Sequence, residues 1–182
     1  MPFPLRLFND LKRRHSAPCL YYEGALNEFV RHDLIMCAPY LRSLSITFFR
    51  SSGDAHINDL GDLILSLPNL ERLILKYYPS FGHGDPIPIF DLPPGSSLPP
   101  LRITSLANIS FTPQQAAEWA QCLAQRNFRH LGLDGAAGTL FPLLDLFSGC
   151  VPSLKSLAIR IVDGTSPNIA SQLNDLLEEF LH

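Results

Sequence analysis

Apolar residues return along this chain in one repeated pattern: an apolar position, two variable positions, leucine, one variable position and a final apolar position. The pattern occurs in whole or in part at residues 41–46, 70–75, 103–106, 128–133 and 154–159. The first residues of these segments are 29, 33, 25 and 26 positions apart. A period in this range is typical of an architecture in which similar units stack side by side into a solenoid.

The segments between the motifs carry apolar residues at helical spacing. Residues 112–125 have the clearest helix start, because Thr112 can cap the helix, Pro113 suits its first position and Gln115 completes a capping box. Between the first two motifs an apolar stripe is formed by Ile57, Leu60, Leu63, Ile64 and Leu67. Further helices are predicted over residues 23–36, 140–148 and 166–180.

A proline stands two residues before the opening leucine in several units, as in Pro39, Pro68 and Pro152. Proline cannot continue a helix, so it marks the turn from a helix into a strand. The repeating unit is therefore helix, proline turn and strand. This order predicts an α/β fold: a solenoid of stacked units whose curved parallel sheet of about five strands is backed by helices.

The third unit fits this scheme least well. Residues 98–101 copy the proline turn, but the expected leucine spacing is met only if Ile103 is the opening residue. The sequence thus predicts an irregular strand across residues 102–109.

The whole chain, residues 1–182, is predicted to form a single domain. Residues 38–182 hold the repeats, and residues 1–37 form a degenerate repeat or cap that includes a strand-like alternation at residues 3–7. Residues 78–100 are rich in proline and lack a helical stripe, so we expect a long loop in place of the second unit's helix. Such a loop is either a binding element or tolerated variation.

Composition narrows the classes of function. The 182 residues are 46% hydrophobic and 17% charged, with a formal net charge of −3. A chain without a long basic run lacks the charge that drives nucleic-acid binding. No apolar stretch is long enough to cross a membrane, and the N-terminal charges are in the wrong order for a secretory signal. We therefore expect a cytoplasmic or nuclear protein that binds neither nucleic acid nor membrane.

The sequence offers little catalytic chemistry. The four cysteines are far apart and show no metal-binding or redox spacing. His83 and Asp85 are close in sequence, but two donors do not make a metal site. Neither an exposed-serine elbow nor a zinc-protease helix motif occurs. The prediction is a protein that is not an enzyme and has no cofactor or metal.

Side chains alternate along a strand, so the variable positions of each motif are expected to share one concave face. This predicts three columns of side chains that cross the strands. The candidate partner-binding residues on or beside this face are Ser43, Arg72, Ile74, Lys76, Tyr77, Tyr78, His130, Asp134, Ser156 and Arg160. Ser45, Thr47, Gly132 and Ala158 complete the predicted columns, and the two tyrosines stand at the edge as possible anchors. The alternative interpretation is an ordinary solvated sheet face.

The motifs LRSLSI, LERLIL and LKSLAI, each following a proline turn, resemble leucine-rich repeats of the long, helix-containing type found in ribonuclease inhibitor and in F-box proteins. The irregular unit lengths and the phrase LPNLERLIL are similar to the repeat regions of fungal F-box-like proteins. The resemblance covers residues 38–182 and implies a substrate-recognition region of a cullin-based ubiquitin ligase. The chain shows no F-box helix set near its start, so the resemblance does not extend to binding of the ligase adaptor.

Three functional interpretations follow. The first is a protein–protein interaction scaffold whose partner the sequence does not identify. The second is a GTPase-activating protein of the leucine-rich-repeat kind, which requires an exposed arginine or asparagine that enters a partner's nucleotide site. The third is a fragment without independent activity, since no polar closing unit follows the last helical stripe.

Overall fold

The computed structural model describes residues 19–23, 28–49, 56–78, 87–93, 96–124, 128–136, 140, 143–144, 154–161, 171, 174 and 178. Within these residues the strands are β1 (Cys19–Glu23), β2 (Ser43–Phe49), β3 (Arg72–Tyr78), β4 (Ile87–Pro88), β5 (Ile103–Ala107), β6 (Ile109–Ser110), β7 (His130–Gly135) and β8 (Ser156–Ile161). The helices are α1 (Glu28–Cys37), α2 (His56–Leu65) and α3 (Pro113–Ala124), and a short 3-10 helix covers Ala38–Tyr40. Described residues 140, 143–144, 171, 174 and 178 are also helical.

In the described part of the chain, six strands form one parallel sheet in the order β1-β2-β3-β5-β7-β8. Each strand pairs in parallel with the next one along this order. Parallel neighbours need a crossover between them, and α1, α2 and α3 lie in the intervening segments. The predicted α/β fold with a parallel sheet and helices is confirmed.

The sheet has one strand more than the predicted number. The additional strand is β1, and α1 begins at Glu28 where the sequence predicted a helix from residue 23. The segment was missed because it lacks the opening leucine of the motif. Only its inward positions, Leu20 and Tyr22, follow the pattern, and they pair with Leu44 and Ile46 of β2. The strand-like alternation predicted at residues 3–7 lies outside the described residues.

The inward side chains of the strands form two apolar rows in the core. One row crosses the sheet at Leu44, Leu73, Thr104, Leu131 and Leu157, and the other at Ile46, Leu75, Leu106, Leu133 and Ile159. The helical stripe predicted in α2 packs with them, because Leu60, Leu63 and Ile64 are almost fully buried in the same cluster. Removal of this apolar surface from water is the main stabilising term of such a core.

Pairing in the third unit corrects the predicted alignment. Ile103 pairs with Arg72 and His130, and Thr104 takes the inward position between Leu73 and Leu131. The opening residue is therefore Leu101, which is fully buried like Leu41 and Leu70. The proline turn, not the leucine spacing, marks the start of this unit. The leucine spacing misled because a threonine occupies the buried leucine position.

Asn108 ends β5 and turns the chain into β6. Its φ of 55° lies in the left-handed region, which asparagine tolerates better than most residues. Its backbone N–H donates to the Asp134 carbonyl at 2.8 Å, and its Nδ2 donates to the Tyr77 carbonyl at 2.9 Å. The predicted irregular strand across residues 102–109 is thus two strands separated by one left-handed residue.

We expect Asn108→Ala to lower the free energy of unfolding by about 2 kcal/mol, from the left-handed strain of alanine and the lost side-chain hydrogen bond. Asn108→Gly loses the same hydrogen bond without the strain, so its cost is expected to be smaller. Urea unfolding followed by circular dichroism measures both. Equal costs for the two variants would contradict the role of backbone strain.

The described part of the proline-rich segment belongs to the core. Ile89, Phe90, Leu92 and Leu98 are buried. The Phe90 ring packs edge-on against Trp119 of α3, with centroids 5.3 Å apart. On its other side, a Cβ atom on Gly61 of α2 would lie only 2.6 Å from Phe90 Cδ2. The segment therefore fills the space between α2 and α3 where the other units place a helix.

A glutamine ties this segment to α3. Gln115 Nε2 donates to the Ile89 carbonyl at 3.0 Å and to Asp91 Oδ1 at 2.6 Å. Its Oε1 accepts from the Thr112 backbone N–H at 2.9 Å, and Thr112 Oγ1 accepts from the Gln115 N–H at 3.2 Å. The last two bonds are the predicted capping box. Gln115 thus caps α3 and anchors the proline-rich segment.

Candidate functional site

The strand register sets three columns of side chains across the face of the sheet opposite the core. The first column contains Ser43, Arg72, Ile103, His130 and Ser156; the second contains Ser45, Ile74, Ser105, Gly132 and Ala158; the third contains Thr47, Lys76, Ala107, Asp134 and Arg160. Eight of the ten candidate residues lie in these columns. Alternation along the strands therefore placed these eight residues on one face correctly. It left out the third-unit members of the columns, Ile103, Ser105 and Ala107.

Only one of the two tyrosines predicted as anchors lies at the surface. Tyr77 is 4% exposed and belongs to the hydrophobic core, whereas Tyr78 is 48% exposed. Tyr77 follows Leu73 and Leu75 at alternate positions of β3, so its ring points to the inward side. Of the two predicted anchors, Tyr78 is the one that offers ring surface to a partner. Thr47 also departs from the expected exposure, since it is 3% exposed, and Ala107 in the same column is buried as well.

A shallow depression of about 240 Å³ lies in the sheet face across β3, β5, β7 and β8. Small residues create it: Ser105, Ala107, Gly132 and Ala158 are among its lining residues. A Cβ atom at Gly132 would lie 2.9 Å from Ser105 Oγ, so glycine permits the close approach of these two neighbouring strands. The depression therefore exists because small side chains occupy paired positions on neighbouring strands.

Three charged residues line the same depression. Asp134 Oδ2 and Arg160 Nη1 are 3.5 Å apart and form an ion pair at the surface. Such exposed pairs contribute little to stability, about 0 to 1 kcal/mol. Lys76 forms no ion pair with another described residue. The depression thus combines a small-residue floor with one positive side chain and one solvated ion pair.

A further row of charged residues was not predicted from the sequence pattern. It lies at the beginnings of the strands and consists of Arg42, Glu71, Arg102, Arg129 and Lys155. Each is the second residue of its unit, directly after the buried opening residue. The signal was available in the sequence, because this position is charged in all five units. The motif did not single this position out, because it belongs neither to the inward apolar positions nor to the predicted outward columns.

Among the described residues, no group of three or more histidine, cysteine, aspartate or glutamate side chains is placed to hold a metal ion. None of the helices within the described ranges is long and apolar enough to cross a membrane.

Comparisons with protein-family models, with curated proteins and with solved structures found no significant match to this chain. The resemblance to leucine-rich repeats and to F-box-like proteins therefore depends on the motifs alone.

Proposed function

We propose that this chain is a leucine-rich-repeat interaction module that binds a protein partner across the open face of its parallel sheet. The observation that carries the proposal is the strand register. It brings polar and charged side chains from strands that are distant in sequence into continuous columns on a face without covering helices among the described residues. In this proposal the sheet is the inner face of a curved repeat solenoid.

The proposed role is binding without catalysis. The described residues that line the depression include no histidine or cysteine, and their charged groups are one lysine and one ion pair. Ser105 contributes a hydroxyl group to the lining, but the lining includes no histidine that could act as its general base. Small and charged side chains on an open sheet suit a complementary protein surface, with Tyr78 as an exposed aromatic contact at its edge.

The test places an arginine inside or outside the depression. Ala158→Arg fills the depression, whereas Gln121→Arg introduces the same side chain on an exposed position of α3. Proteins that co-purify with the native chain are identified, and the binding of each purified partner to the variants is measured by calorimetry. We expect Ala158→Arg to weaken binding by about tenfold or more and Gln121→Arg to change it by less than about twofold. If the native chain and both variants bind the partner with equal affinity, this face is not the binding site.

The more specific proposal is that the module recognises substrates for a ubiquitin ligase, as the F-box-like resemblance implies. The resemblance does not itself extend to adaptor binding, so the ligase adaptor among the co-purifying proteins would be the independent support for this proposal. If the adaptor is reproducibly absent, the ubiquitin-ligase role is rejected and the role as an interaction module remains.

A further inference from the structure

Basic side chains gather at one edge of the sheet, at or just before the first residues of five consecutive strands. We call this set the basic edge; it comprises Arg42, Arg72, Arg102, Arg129 and Lys155, all of them exposed. The chain carries a net charge of −3 and has 14 lysines and arginines in total. More than a third of its basic residues therefore lie on one short edge of an acidic protein.

Backbone hydrogen bonds fix the spacing of this edge. The Arg42 carbonyl accepts from the N–H groups of Glu71 and Arg72, at 2.9 and 3.0 Å. The backbone carbonyls of Glu71, Arg102 and Arg129 likewise each accept two hydrogen bonds, from two consecutive backbone N–H groups of the next unit. Neighbouring strands lie roughly 4.8 Å apart, so the five units span about 19 Å. The charges are thus held on a rigid scaffold, although the side chains themselves are long.

Most of this charge is not neutralised within the described residues. Glu71 is the one carboxylate in the row, and it accepts from Arg42 Nη1 at 2.7 Å while lying 3.8 Å from Arg102 Nε. Within the described part of the chain, no ion pair is formed by Arg72, Arg129 or Lys155. Like charges at this spacing repel one another. An anionic group placed along the edge would therefore be attracted by several charges at once.

We propose that the basic edge binds an acidic segment, rich in aspartate and glutamate, of the protein partner. This inference rests on the proposed function, because it assigns the chemistry of that partner. An extended segment of about six residues covers 19 Å. The edge adjoins the first column of the sheet face, so one partner can contact both surfaces.

A protein segment fits better than a nucleic acid. The overall charge of −3 opposes a long polyanion, which extends far beyond a 19 Å strip. Glu71 lies in the middle of the row and repels a continuous phosphate backbone. Ile103 and His130 beside the edge offer contacts that match peptide side chains.

The experiment uses the full chain and a fluorescent peptide of about six glutamates, the length that covers the edge, with binding followed by anisotropy at low ionic strength. The double variant Arg72→Gln/Arg129→Gln removes two charges of the basic edge. Its control, Gln121→Glu/Asn174→Glu, changes the net charge equally at two exposed helical positions. We expect the first variant to weaken peptide binding by about tenfold or more and the control by less than about twofold. Thermal unfolding verifies that both variants are folded.

Three results would overturn the inference: no binding of the peptide to the native protein, equal weakening by both double variants, or equally tight binding of an oligothymidine with the same dependence on Arg72 and Arg129. Absence of binding would show that the basic edge is not a binding site. Equal weakening would show that peptide binding depends only on the net charge of the protein. Equally tight oligothymidine binding would show that the edge binds polyanions in general. If Ala158→Arg still releases the partner in any of these cases, the proposed function stands without the inference. If the peptide depends on the basic edge but Ala158→Arg has no effect, the sheet-face function fails and the basic edge remains.

Discussion

Phe90→Ala is expected to lower the free energy of unfolding by about 3 to 5 kcal/mol, the range typical for truncating a fully buried aromatic ring. Phe90 is 1% exposed and fills the space between Gly61 of α2 and Trp119 of α3. The loss removes the ring's transfer free energy and leaves a cavity that two helices border. For a chain of this size the melting temperature should fall by roughly 6 to 20 °C. Differential scanning calorimetry and denaturant unfolding measure the effect.

Phe111→Ala is the matched control, because Phe111 packs edge-on against the same Trp119 at 5.8 Å but is only partly buried. We expect about 1 to 2 kcal/mol for this variant, since less apolar surface is lost. A double-mutant cycle with Gly61→Ala isolates the contact. Alone, that variant forces a Cβ against the Phe90 ring and is destabilising. Together with Phe90→Ala its cost should fall, because only the Cβ of residue 90, 3.0 Å away, then remains close. Equal costs at Phe90 and Phe111 would contradict the assignment of Phe90 as the core of the proline-rich segment.

Gln115→Ala is expected to cost about 2 to 4 kcal/mol, because it removes three side-chain hydrogen bonds of a buried residue at the start of α3. Two of these bonds join α3 to the proline-rich segment, at Ile89 and Asp91. Hydrogen exchange should therefore show faster opening of residues 87–93 as well as of the first turn of α3. The matched control is Gln114→Ala, whose side chain makes an exposed bond to Glu118 at 2.9 Å, with an expected cost of about 0.5 kcal/mol.

Gln115→Glu separates the capping bond from the anchoring bonds. A carboxylate can still accept from Thr112, but it faces the Asp91 carboxylate and the Ile89 carbonyl without a donor. This repulsion is expected to raise the pKa of the new carboxyl group in the folded state. A raised pKa means that the folded state binds the proton more tightly, so this variant gains stability as the pH falls through that pKa and loses it as the pH rises. A cost that is the same at pH 4 and pH 7 would contradict the anchoring role of the amide.

The exposed columns show what could be predicted about the candidate site. Residues such as Ser43, Lys76 and Arg160 were placed on one face because alternation along a strand is local, and parallel pairing of similar motifs then aligns them. The depression was not predictable, because it depends on Gly132 and Ser105 becoming direct neighbours. That pairing follows from the register of the third unit, where the sequence favoured the wrong starting residue.

The period of the leucine motif by itself determined the order of helices and strands, the parallel direction of the sheet and the side on which most strand residues lie. These properties depend on spacing along the chain, which the sequence contains in full. Only the tertiary structure decided that Tyr77 is buried, that β1 joins the sheet and that the proline-rich segment, predicted from the sequence as a loop in place of a helix, packs into the core. Each of these depends on which residues from distant units meet: Phe90 is a core residue because Gly61 leaves room for it and Trp119 packs against it.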